Sequence, residues 1–138
     1  MRDKKTELDI KGIKGFLEFW MKFHSIYNGI ISKELITDDE EGKFLDTKNM
    51  IRNKYEELKS ALEFKYMPHS RLTDPVSDIL ELSGIRFISE RKLKRLDEDW
   101  KDSYIFLNNI LERLESKKRR LEQFNPIGVF LKRFMENK

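Results

Sequence analysis

The chain has 138 residues, no cysteine, 28 basic and 25 acidic side chains and a net charge of +3. Without cysteine there is no disulfide, no thiolate nucleophile and no Cys-ligated zinc or iron–sulfur site. Near-balanced charge and 12% aromatic content are incompatible with a disordered chain, which has too little apolar surface to offset the entropy of ordering.

The first eleven residues are polar, and Gly12 and Gly15 follow. Glycine inside a helix costs about 1 kcal/mol relative to alanine. Residues 1–11 are therefore expected to fray, and the first long helix to become firm at Ile13 and run over 13–34. Its large apolar residues are Ile13, Phe16, Leu17, Phe19, Trp20, Phe23, Ile26, Tyr27, Ile30 and Ile31. At roughly 100° per residue they cover about half the circumference, more than a two-helix seam requires. Such a helix needs two apolar partners, its own chain and a second copy.

Thr37-Asp38-Asp39-Glu40 has the form of a capping box, with acids suited to the positive end of the helix dipole. A second long helix is expected over 38–66, with the stripe Phe44, Ile51, Tyr55, Leu58, Leu62 and Tyr66. Pro68 would end it, because proline lacks an N–H and disfavours helical backbone at Met67. After a loop at His69-Ser70-Arg71, Asp74 and Pro75 supply N-cap and N1 of a short helix over 74–83, stopped at Gly84. Ile85, Phe87 and Ile88 form an apolar connector expected to tuck under the core.

Ser89 caps the third long helix, 89–122. Its stripe is Leu93, Leu96, Trp100, Tyr104, Leu107, Ile110, Leu111, Leu114 and Leu121. Ile105 and Phe106 fall off that stripe, so the middle of this helix also calls for cover on two sides. Asn125-Pro126 opens a last short helix, 126–136, whose Ile127, Phe130, Leu131, Phe134 and Met135 share one face. Its expected place is folded back on the bundle; docking in a partner's groove or on an anionic membrane is the alternative. Short connections make sequential helices antiparallel neighbours. The expected fold is an all-α up-down-up bundle of three long and two short helices, in a single domain over 1–138.

Reactive chemistry finds little support. His24 and His69 have no second histidine or Glu-x-x-His at ligand spacing. The carboxylates of 38–41 suit a helix start, and Asp97, Glu98 and Asp99 suit a solvated face. Gly12-x-x-Gly15 lacks the strand and the Lys-Ser/Thr of a phosphate loop. The segment around Gly84 departs from a helix-turn-helix, since polar residues follow where an apolar anchor belongs. No catalytic residue, metal ligand or cofactor is expected, and the chain reads as a non-enzyme.

The leading expectation is a helical interaction module, homodimeric or bound to another protein. Its expected interface is Phe19, Phe23 and Ile26, with Phe106, Phe130 and Phe134, since buried aromatic anchors dominate interface energy. The alternative is a nucleic-acid-associated accessory protein using the basic ends of the third long helix. Arg91, Lys92, Lys94 and Arg95 lie at one end, and Arg113, Lys117 and Arg120 follow one face at the other. No run approaches the roughly 20 apolar residues of a membrane span, and no apolar leader follows Met1, so a cytoplasmic location is expected.

Overall fold

A computed structural model describes residues 3–63 and 74–123. Over them the chain forms four helices and no strand: α1 (Lys4–Ile31), α2 (Asp38–Ala61), α3 (Pro75–Leu80) and α4 (Glu90–Gln123). This is the expected all-α bundle. The proposed helix at 126–136, the stop at Pro68 and the loop at His69 lie outside the described residues.

The first correction is at the start. Helix α1 is formed from Lys4, so residues 4–11 are not frayed. The Asp3 side chain accepts from the Thr6 N–H at 3.3 Å and from the buried Thr6 hydroxyl, closing the first turn. The Lys5 ammonium donates to Asp9 in its own helix and to the Ala61 carbonyl at the end of α2, each at 3.1 Å. At Gly12 α2 packs alongside, with Leu58 Cδ1 3.6 Å from where a Cβ would sit, an ordinary contact distance. Tertiary contact thus outweighs the glycine penalty. At the other end α1 stops at Ile31 rather than 34, where the Ser32 hydroxyl donates to the Gly29 carbonyl.

The capping box forms as the sequence indicates. Thr37 Oγ1 accepts from the Glu40 N–H and Glu40 accepts from the Thr37 N–H, both at 3.2 Å. Helix α2 ends five residues short of expectation, at Ala61 rather than 66. Leu62 turns into the core and Glu63 takes a left-handed φ of 56°, closing the helix before Pro68 is reached. Helix α3 begins with Asp74 accepting from the N–H groups of Val76 and Ser77, with Pro75 at N1, and ends at Leu80 instead of 83. The Tyr55 hydroxyl donates to the same Asp74 carboxylate, tying α3 to α2. Ser89 Oγ accepts from the Lys92 N–H at 3.2 Å, capping α4.

Helix α1 lies between α2 and α4 and runs antiparallel to both. Phe16 meets Tyr55 while Phe23 meets Phe44, and Lys14 faces Glu115 while Trp20 faces Ser103. The short α3 packs on α4 and α2. The core is aromatic, with Trp20–Trp100 centroids 4.9 Å apart, Phe23–Phe44 5.1 Å and Tyr27–Trp100 5.3 Å. These rings are buried, at separations where offset and edge-on pairs are favourable. No helix among the described residues is long and apolar enough to cross a membrane.

Candidate interaction surfaces

The wide face of α1 ends differently on its two sides. Toward α4 it is closed by aromatic groups that carry polar handles. Trp20 Nε1 donates to Ser103 Oγ at 2.8 Å, and the Ser103 hydroxyl donates to the Trp100 carbonyl at 2.6 Å. The His24 ring stacks on Trp100 with centroids 4.3 Å apart and an interplanar angle of 12°, and its Nδ1 lies 3.2 Å from the Tyr104 hydroxyl. Burial lowers the His24 pKa below its ordinary value, against a smaller upward pull from Asp97. Burial, aided by Asp97, pushes the Tyr27 hydroxyl up to about 12. The Tyr27 hydroxyl and the Trp100 indole N–H are buried side-chain polar atoms of the described residues with no hydrogen-bond partner. This seam sets an imidazole, whose charged form burial disfavours, against a phenol and an indole face, which suits it to packing. Among the described residues no group of three or more His, Asp or Glu could hold a metal ion.

Toward α2 the same face is left open. Gly12, Gly15, Phe16, Phe19, Leu58 and Ala61 line a groove of about 310 Å³ whose rim carries Lys11, Lys54 and Glu57. Phe19 is 38% exposed with the Lys54 ammonium 4.4 Å from its ring centroid, and Ile26 is 40% exposed further along the helix. Met50 is exposed on the facing side of α2. Two of the expected interface residues therefore lie at the surface and together on one flank.

Others do not. Phe23 is fully buried inside the protomer against Phe44, Trp20 and Trp100 and is a core residue, not an interface residue. It lies roughly 40–60° nearer the core axis than Phe19 and Ile26 on the helix wheel, where α2 still reaches. Phe106 is half-buried and packed against the core, covered largely by its own chain. Phe130 and Phe134 lie outside the described residues.

The basic residues fall into two separate groups. Arg91, Lys92 and Arg95 line a groove of about 580 Å³ with Asp78, Glu81 and Asp99, and Lys94 is exposed on the same turns. Burial, then the neighbouring Asp78, raises the Asp99 pKa. Arg113 and Arg120 line a shallow recess with Asn109, Glu112 and Ser116, and Lys117 is half-buried beside them. At about 1.5 Å per residue, Arg95 and Arg113 are separated by roughly 27 Å along α4. The helix does not join the two groups into one cationic track, and carboxylates interrupt the first.

A further surface escaped the sequence. The connector 82–89 lies over the first turn of α2, where the Glu41 carboxylate accepts from the N–H groups of Ile85 at 3.1 Å and Arg86 at 2.9 Å. The Arg86 guanidinium pairs with Asp38. The buried Lys48 ammonium donates to the Leu82 carbonyl, and burial, more than the nearby Arg52, lowers its pKa. Ile85 is buried and Ile88 half-buried, as a connector tucked under the core should be. Phe87 corrects that expectation. It is 96% exposed and has a left-handed φ of 58°. The only local signal was Glu41 itself, and an acid in a first helical turn is already explained by the dipole. Comparison with known proteins gives no significant match to a family model, a curated protein or a solved structure.

Proposed function

We propose that the protein is a non-enzymatic helical interaction module that pairs with a second copy of itself along the α1–α2 flank. The observation that carries this is the groove lined by Gly12, Gly15 and the exposed Phe19, with Ile26 exposed two turns further along the same flank. The absence of side chains at the two glycines permits a close helix approach, and Phe19 supplies an aromatic anchor of the kind that dominates interface energy. The charges favour a second copy as the occupant. The rim carries both signs, Lys11 and Lys54 with Glu57, so it matches a surface with the same mixture better than a uniformly charged one.

Sedimentation velocity of the full chain at tens of micromolar tests the proposal. The wild type is expected to self-associate. Phe19→Ser with Ile26→Ser should remove one association step, with helical content by circular dichroism unchanged. A sedimentation profile that the two substitutions leave as it was would overturn the reading.

The second proposal, a nucleic-acid-associated role for the basic ends of α4, is supported by the grouping of Arg91, Lys92 and Arg95 in one groove. It requires salt-sensitive retention on heparin that Arg91→Glu with Arg95→Glu abolishes; retention that is absent, or unchanged in the variant, removes it.

A further inference from the structure

We infer that the loop end of the bundle is a second self-complementary contact, in which Phe87 of one copy seats against Leu35 of another. These are the two most exposed large apolar side chains among the described residues, Phe87 at 96% and Leu35 at 79%. They sit on different connections, 82–89 and 32–37, yet at the same end of the molecule. The Arg86–Asp38 pair joins the residue beside Phe87 to the first residue of α2, and Glu41 holds the backbone of Ile85 and Arg86 against the same turn.

The backbone at Phe87 points to display. A bulky residue with φ near +58° is a strained conformation that glycine adopts freely. Such strain persists only where the surroundings over-determine it. Here they do: Ile85 is buried on one side, Ile88 is half-buried on the other, and the Glu41 carboxylate fixes the turn between them. The chain thus holds an unfavourable backbone at a position whose side chain contributes almost nothing to its own core. The Arg86 guanidinium, 5.3 Å from the ring centroid, covers one face of Phe87.

Charge selects the occupant. Residues 32–41 hold five carboxylates and one lysine, a net −4, whereas residues 86–95 hold five cations and one glutamate, a net +4. Some of these charges are paired internally: Lys33 with Glu40, and Arg86 with Asp38. Glu34, Asp39, Arg91, Lys92, Lys94 and Arg95 remain on exposed positions of the two segments, with Asp78, Glu81 and Asp99 offsetting part of the basic charge in the groove beside α3. A uniformly anionic surface such as nucleic acid or acidic lipid would be repelled by one half of this end. A second copy turned by a twofold axis sets each acidic segment against a basic one and brings Phe87 to Leu35 twice. This contact uses none of the residues of the α1–α2 flank. With both contacts made, each copy has two neighbours, and association continues beyond a dimer.

The test uses the full chain in a Phe19→Ser background, followed by light scattering at low and high salt. Association that weakens with salt is expected. Adding Phe87→Gly should weaken it about ten-fold or more, while the thermal midpoint holds or rises because the left-handed strain is relieved. A charge exchange closes the test. Glu34→Lys with Asp39→Lys in one chain, and Arg91→Glu with Lys92→Glu in another, should each be monomeric, and their mixture should pair. If the Phe19→Ser chain is monomeric at low salt, or Phe87→Gly associates as its parent does, or the two charge variants stay apart when mixed, the inference falls. The α1–α2 proposal is judged separately, by whether Phe19→Ser removes an association step from the wild type.

Discussion

Helix α1 meets α4 and α2 with the same kind of apolar surface, but the two flanks are finished differently. On the α4 side Trp20 and His24 each bring a polar group that meets a partner across the seam, Ser103 and Tyr104, while the Tyr27 hydroxyl and the Trp100 indole N–H are buried without one. On the α2 side the margin is Phe19, in a groove it shares with Gly12 and Gly15 and with Lys54 above its ring, and Ile26 further along. Phe and Ile have no polar handle with which to meet water or a neighbouring helix. A margin of Trp, His and Tyr can be completed within one chain, whereas a margin of Phe and Ile leaves apolar surface that, on the reading proposed above, a second copy covers.

Several substitutions would sharpen or break this contrast. The largest effects belong inside it. Trp20→Ala or Phe23→Ala should destabilise the protomer by about 3–5 kcal/mol in urea denaturation, as for any fully buried ring. Phe19→Ser, by contrast, should cost the protomer about 1–2 kcal/mol, because more than a third of the ring already meets solvent, while changing the oligomeric state. Equal losses at positions 19 and 23 would erase the distinction between flank and core.

Ser103→Ala should cost about 1–3 kcal/mol, because it leaves the buried Trp20 indole N–H without its acceptor. Thr37→Ala, at the capping box of α2, should cost about 1 kcal/mol, and comparing the two variants ranks the seam against an exposed cap.

The smallest effect is expected from acid. Burial holds the His24 pKa below 6.5 in the folded chain. The unfolded chain therefore binds more protons in that range, and the stabilising contribution is intact above about pH 6.5 and lost as pH falls through the folded value. Asp99, raised above 3.8 by burial and Asp78, acts with the opposite sign from the carboxylate range upward. Urea midpoints for wild type and His24→Asn between pH 7.5 and about 5.5 isolate the histidine. A wild-type slope that persists in His24→Asn would assign it to other groups.

Much of the fold was legible because its signals are local. The Thr37–Glu40 box, the Asp74-Pro75 start and the Ser89 cap each need only four residues to be recognised, and all three form. The long stripes placed Trp20, Trp100 and Leu107 in the core on period alone. What was not legible depends on partners distant in sequence. The start of α1 is held in part by Lys5 reaching Ala61, fifty-six positions away, and the glycine penalties at 12 and 15 concealed the Asp3–Thr6 cap. Phe23 and Phe19 differ by only about 40° around the helix, and only the position of α2 decides which one is covered. Phe87 is exposed because Glu41 grips the backbone beside it, a bond between residues forty-four and forty-five positions apart.

The Lys5 bond to the Ala61 carbonyl has one more consequence. Terminal turns of helices ordinarily unzip first and independently, and here the opening turn of α1 is fastened to the closing turn of α2. The two should breathe together as a single cooperative unit. Amide hydrogen exchange would register this as matched protection at both segments, and severing the bond by Lys5→Met should let both exchange faster at once.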